Sequence, residues 1–512
     1  MIKSKLKTVV VLIFLLLCML SINSSANPSS TYIIKDIGSI TFDCTNATVK
    51  LSSSKEKSRQ YMKSTVLTYK VIEKEKAIGE VILTLNRIND DDLHYFIRYS
   101  SQKLNKSLKV TLKCNYLAND YNYLVADPVN QKYLSDKSKS PEVRFKNEIT
   151  YIQSPKCNIR FGKIHNMKDI GHSVHQYSVP NNTGVVARVE NNKTEFSVEL
   201  TPETNSKSFI TTEGIISKNK LVQWNDAQAL QTAKLIDFNQ ARIFMSDGLY
   251  RENYTTYTPR ALPALSVFKD PCGFLVRYCY LVFDSGSLFK ILGINLMYNF
   301  ADSVGPKGYI PTQPSSDWLK TDHNIGFGFY DTRWNSDTMT SLMTFNTNLK
   351  DNEVDAAVKR YIAFYKQHYK KNSFIVDGVS YVADYCDSNL ESKNVHCSLN
   401  HLLAEMQVLY QYYQIYKDEE CKQIADKMLV TVTQSSKKWI KNDGDLWYKV
   451  TVKGIFNGND YPALTYNDLV YSVNQLKQLN IPVPNELLML IESKGKWALE
   501  KKHITSIFKY EE

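Results

Sequence analysis

A chain of 512 residues with 63 Lys and Arg against 52 Asp and Glu carries a formal charge of +11, which draws an exported protein toward acidic polysaccharide, wall polymer or other anionic surfaces. The basic residues are scattered rather than gathered in an arginine-rich arm, and no nucleic-acid motif occurs, so nucleic acid is not an expected partner. Nine cysteines form no C-x-x-C pair or Cys/His box, so neither a structural zinc site nor any other metal or cofactor is expected.

In chain order, Lys3, Lys5 and Lys7 precede an apolar run from Val9 to Leu20 and a small-x-small step at Ser24 and Ala26. This is the pattern of a secretory signal peptide over residues 1–26, with cleavage after Ala26. Its removal takes three positive charges off the formal +11 and leaves +8. No later apolar run is long enough to span a bilayer, so the expectation is a secreted or cell-surface protein without stable membrane insertion once the signal is cleaved. Cys386 and Cys397 flank a polar stretch and could close a loop by a disulfide in an oxidising compartment.

Residues 27–217 read as a β-rich, sandwich-like domain. Runs such as "STVLTYKVI", "GEVILTLNRI", "LHYFIRYSS" and "TEFSVELTP" alternate apolar and polar residues between Asn/Asp/Gly turns, which predicts antiparallel strands. After residue 218 the period changes to that of helices. The expected helices lie in "NDAQALQTAKLIDFNQARIF", "GSLFKILGINLMYNFADSV", "DTMTSLMTFNTNL", "NEVDAAVKRYIAFYKQHY", "SLNHLLAEMQVLYQYYQIY", "EECKQIADKMLVTVTQSSKKWI", "NDLVYSVNQLKQL" and "PNELLMLIESKGKWALEKK". Helices of similar length joined by turns suggest hairpins arranged in an α/α toroid over residues 218–512. The expected fold is thus α+β and multidomain, an antiparallel β domain followed by that toroid.

The stretch "GFGFYDTRWNSDT" mixes flat side chains with charges just before a helix that Ser336 or Asp337 would cap, and it reads as the wall of a binding cleft. A saccharide offers apolar ring faces and a hydroxyl rim, which calls for aromatic platforms and polar rim groups. Trp318, Tyr330, Trp334 and Trp447 are the candidate platforms, and Asp331 with Arg333 the candidate rim. Asp331 and Arg333 could equally pair with each other. His401 and Glu405 share a helix face, as a helix contact or as site residues.

From 398 to 479, "SLNHLLAEMQVLYQYYQIYKDEECKQIADKML", "GDLWYKV" and "DYPALTYNDLVYSVNQLKQL" follow one another in an order that resembles the C-terminal helical domain of D-glucuronyl C5-epimerases. The matching positions are Asn400, Tyr448, Tyr461 and Val473 to Leu476. The resemblance implies action on a uronic-acid-containing polysaccharide by removal and return of the C5 proton. Tyr448, Tyr461 and Tyr466 would then be catalytic, Arg333 would hold the substrate carboxylate, and Asn400 would bind substrate. The sequence departs from the family where Lys449, Val450 and Thr451 follow Tyr448 in place of Asp-Leu-Arg-His, and where Pro462 replaces a histidine. A tyrosine, with a reference pKa of about 10, acts as a base only where cations or hydrogen bonds favour phenolate. The open alternatives are a polysaccharide lyase, a glycoside hydrolase using two of Asp247, Glu252, Asp331 and Glu405, and a non-catalytic glycan-binding protein.

Overall fold

The computed structural model describes residues 30–510 except 36, 104–105, 116, 118–120, 139, 181–183, 191–192, 204–206, 239–241 and 253–264. The expected signal segment lies outside the described residues.

Strand Asp92–Ser101 shows how the β layer forms. Its alternation sends Leu93, Tyr95, Ile97 and Tyr99 to one apolar core and Phe96 to another, so the strand is covered on both faces. It belongs to an antiparallel sheet of fourteen strands among the described residues. A second sheet runs Thr31–Ile34, Gly38–Cys44, Leu108–Cys114, Lys193–Leu200, Val186–Glu190, Glu142–Arg144. The two meet through Ile40, Phe42, Val110 and Phe196 on one side and Leu83, Ile97, Tyr99, Ile159 and Ile216 on the other, the packing of a sandwich. Among the described residues strand Thr48–Ser58 is paired on one side only, with Lys63–Glu73, and every one of its residues but Val49 is exposed.

The large sheet does not stop at residue 217. Arg242–Met245, Gly248–Glu252 and Ser266–Lys269 extend it, the last pairing with Val174–Ser178. The helix expected through residue 244 therefore ends at Asp237. Ile243 and Phe244 are instead paired across from Tyr250 and Leu249, where a β-branched and an aromatic side chain fit a pleated surface.

The helices are α1 (Ala227–Asp237), α2 (Phe274–Leu281), α3 (Ser287–Ser303), α4 (Asp317–His323), α5 (Thr332–Leu349), α6 (Asn352–Asn372), α7 (Leu399–Tyr416), α8 (Glu419–Trp439), α9 (Leu464–Gln478) and α10 (Asn485–Glu500). The sequence reading missed α2 and α4, both short. Side chains of Asp226, Asp331, Asp351 and Asp418 cap α1, α5, α6 and α8 by accepting first-turn N–H groups. Helices pack as hairpins α2/α3, α5/α6, α7/α8 and α9/α10, and α2, α5, α7 and α9 lie side by side in that order. Arg277 of α2 sits over the Tyr471 ring of α9 at 5.5 Å. α3 is buried nearly all round because it lies between these helices and the large sheet. Among the described residues no helix is long and apolar enough to cross a membrane.

All eight described cysteines are buried free thiols. The expected Cys386–Cys397 bridge is not formed: Cys386 is held in strand pairing opposite Tyr330, and Cys397 opposite Val450 in a different small sheet.

Candidate active site

Three short strand pairings stitch together the starts of α5, α7 and α9. Tyr330–Asp331 pairs with Tyr385–Cys386, Cys397–Ser398 with Trp447–Val450, and Trp447–Val450 with Phe456–Asn459. Each of the first two ends where a helix begins, so residues far apart in sequence meet at one end of the helical layer. Thr332 N donates to Asp384 O at 3.0 Å and Asp384 N to His396 O at 2.9 Å, which fixes Asp384 between the starts of α5 and α7.

Asp384, fully buried, is the hub. It accepts from Ser398 N at 2.8 Å and from the Ser398 hydroxyl. His396 Nε2 lies 3.3 Å and His401 Nδ1 3.9 Å from its Oδ2, and Thr332 Oγ1 is 2.8 Å from His401 Nδ1. Burial works to raise the Asp384 carboxyl, but His401, His396 and the Ser398 hydroxyl outweigh it and hold the pKa below the usual range. Burial lowers His401 to about 4 against the pull of Asp384, so at neutral pH this imidazole is uncharged.

Aromatic rings enclose the hub. Trp318 stacks on His396 with centroids 5.7 Å apart, and Tyr385 meets His396 at 6.0 Å and His401 at 5.4 Å. Tyr448 lies edge-on to His396 at 5.9 Å and to Tyr461 at 5.9 Å, and Tyr461 is 43% exposed, the face of the cluster that solvent reaches. Burial, then the Asp384 charge and Tyr461, push the Tyr448 phenol above its usual range, so it is a proton donor. The expected phenolate has no support here. Among the described residues no side chain caps the first turns of α7 and α9, which leaves backbone N–H donors and the positive ends of two helices at this site.

The other expected residues take different places. Arg333 donates to Asp468 through two nitrogens at 2.5 and 3.0 Å, to Asp337 at 2.9 Å and to Asn400 O at 2.8 Å. Burial works against its charge, but Asp337 and Asp468 hold the guanidinium protonated. It therefore ties α5 to α7 and α9, and its fork is occupied. Asp331 is the cap of α5, accepting from Trp334 N at 2.9 Å, in place of Ser336 or Asp337, both of which lie inside the helix. Tyr330 is fully buried among Tyr309, Phe364 and His368, so it is core. Trp334 faces the sheet, near Phe268 and under Arg251 at 5.1 Å. Trp447 lies under Lys441 at 5.0 Å, one strand residue away from Tyr448 and so on the opposite face. Tyr466 accepts from Phe508 N at 2.6 Å and secures the chain after α10. Asn400 is buried at the start of α7, and its Oδ1 has no hydrogen-bond partner among the described residues. Glu405, one turn on from His401, is 1% exposed and accepts from Tyr365 at 2.6 Å; burial pushes it up to about 8. Of the hydrolase candidates, Asp247 accepts from Tyr250 and Glu252 from Tyr177 on the sheet.

Asp384 was missed from the sequence, and His396 and Ser398 open a stretch, "HCSLNHLLAEM", that the sequence marks as a site candidate without either being nominated. A further local signal was His396 and Ser398 two apart in an extended segment ahead of a helix, which puts both on one side of the strand. Among the described residues no group of three or more His, Cys, Asp and Glu could hold a metal ion.

No family model matches the chain, and no curated protein matches it. Among solved structures it is similar to a GH76 α-mannanase of Bacteroides thetaiotaomicron, at 17% identity and TM-score 0.34 over 45% of this chain and 60% of that one. It is also similar to cellobiose 2-epimerase from Bacillus thermoamylovorans, at 10% identity and TM-score 0.33 over 45% and 59%. A third is an unsaturated glucuronyl hydrolase from Streptococcus agalactiae, at 11% identity and TM-score 0.32 over 48% and 57%. The chain thus spans about three fifths of the length of the first of these structures.

Proposed function

We propose that this is an exported carbohydrate-active enzyme, built on an α/α-toroid-like helical domain, that moves the C5 proton of a uronic-acid residue in an acidic polysaccharide. The observation that carries the reading is the Asp384–His396–Tyr448 cluster: a carboxylate held ionised against an imidazole, beside a phenol held protonated, under an aromatic rim. The imidazole of His396 takes the C5 proton, the electron pair passes into the adjacent substrate carboxylate, and Tyr448 donates a proton to C5. Asp384 is a positioning residue that steadies the imidazolium. Tyr461 and Trp318 carry the sugar face. With Arg333 already paired, the open first turns of α7 and α9 take the extra charge on the carboxylate.

The test is incubation with a panel of glucuronate-containing polymers in deuterated water, followed by NMR at C5. Deuterium at C5 with the wild-type chain, lost in His396→Gln and Tyr448→Phe, is the expected result. Unsaturated ends would assign a lyase on the same residues and new reducing ends a hydrolase. Binding without any of these would assign a glycan-binding protein, the reading that the occupied Arg333 fork favours.

A further inference from the structure

At the far end of α2 from the candidate site lies a second concavity. α2 begins beside α5, where Gly273 N donates to Thr338 Oγ1 at 2.7 Å, and the chain turns back into α3 at Ser287. A groove of about 1300 Å³ opens there, between the start of α3, the segment after strand Ser208–Ser217, and the ends of several strands of the large sheet.

Its lining is polar in an unusual way. Asn158 is 4% exposed, yet its carboxamide makes no hydrogen bond to any described residue. Its amide atoms are not sealed from solvent and so are open to a ligand in the groove. Trp224 lines the same groove, and its indole N–H is buried without a partner while Tyr133 and Tyr151 pack edge-on against the ring. Asn122, Gln153 and Asn219 add carboxamides that likewise bond nothing described. Lys220 and Lys290 form no ion pair among the described residues. Asp92 is spoken for, with Ser217 and Asn89 each donating to one of its oxygens, which leaves Asp284 as the other acid of the groove.

Carboxamides both donate and accept, as sugar hydroxyls do; an indole N–H donates to an acceptor; two unpaired ammonium groups call for an anion. The groove has no arginine, the residue whose fork suits phosphate. We propose that it binds an anionic, hydroxyl-rich saccharide, with Lys220 and Lys290 on its carboxylates and Asn158 and Trp224 on its hydroxyl or ring oxygens. This stands on the groove's own chemistry and goes beyond the proton-transfer reading. It gives the protein a second hold on a polymer chain, away from the candidate active site.

The test is hydrogen exchange by mass spectrometry on the full chain with a hexasaccharide of alternating glucuronate and N-acetylglucosamine, and with a neutral glucose hexasaccharide of the same length. Protection of 219–225 and 283–290 by the acidic probe alone is expected. Lys220→Gln/Lys290→Gln should weaken binding at these segments about tenfold, through loss of two charge-assisted hydrogen bonds, and leave C5 exchange on short substrates unchanged. Both lysines line an open surface, so the double variant should fold. Protection confined to 383–398 and 447–461 would overturn the groove and leave the candidate active site standing. Equal protection by the neutral probe, or affinity unchanged in the double variant, would overturn the anionic assignment.

Discussion

At the scale of single residues, Glu405 makes the protein's stability depend on pH. Its carboxyl titrates near 8 in the fold, against a usual 4.5, because burial disfavours its charge. The fold therefore binds this proton more tightly than the unfolded chain does. The stabilisation is fully present below about 4.5 and is lost as the pH rises toward 8, at about 1.4 kcal/mol for each unit. Glu405→Gln keeps an acceptor for Tyr365 without a titrating proton. Urea midpoints measured from pH 5 to 8 should fall for the wild type relative to the variant; parallel curves would show that Glu405 does not carry the effect. Arg333 gives a contrasting expectation. Arg333→Met strands Asp468, which burial already pushes up to about 6, and should cost about 3 kcal/mol or more at pH 7. Tyr448→Phe should leave the urea midpoint near that of the wild type and reduce C5 exchange by about 100-fold or more.

These residues also mark where the sequence was readable and where it was not. That Arg333 needed a carboxylate was legible. That the carboxylate would be Asp468, from a helix start 135 positions away, was not, since only the packing of α5 against α7 and of α7 against α9 brings them together. Tyr448 and Tyr461 were found through the order of short motifs and do meet, whereas Tyr466, five positions on, turns to the tail after α10. His396 opens a stretch that was marked, but it was not nominated, because a lone histidine in a short extended segment looks like many others until Asp384 is beside it.

At the scale of elements, the change of period from two to helical was the clear signal, and seven helix cores from Ser287 onward lie where it placed them. Boundaries were less legible. A cap was expected at Ser336 or Asp337 because both are good cap residues, but Asp331 precedes them, and the strand Tyr330–Asp331 sets its extended backbone. Asp331→Ala removes the bond to Trp334 N and should cost about 1 kcal/mol. The α3–α5 contact is tighter than propensity suggests. A Cβ on Gly293 would come 2.7 Å from the Phe345 ring, so Gly293→Ala should destabilise by about 1–3 kcal/mol although alanine is the better helix former. A thermal melt that rises in this variant would show that Phe345 has room to move.

At the scale of the whole molecule, the β and helical layers share one core. Phe96, Tyr151 and Ile215 of the sheet, with Met62 from the turn before strand Lys63–Glu73, pack with the helices, and Asn86 donates to Asn295 of α3 at 2.6 Å across the seam. The change of period at 218 therefore marks a change of secondary structure within continuous packing. The fragment 218–512 expressed alone exposes the apolar side of α3 and should show no cooperative melt; a sharp transition would establish an independent helical domain. Arg160 adds to the same seam, donating to Glu213 at 2.6 Å on the sheet and to Asp237 at 2.9 Å at the end of α1. The strand Thr48–Ser58 has a consequence for how copies of this protein behave toward one another. Alternate residues along its eleven-residue length offer hydrogen-bonding backbone on the outer side, the form that invites another strand to dock. Lys50 and Lys55 stand along it as like charges, while Lys57 pairs with Asp302 and Glu353. Acetylating surface lysines should remove these charges, and light scattering should then report association growing with protein concentration.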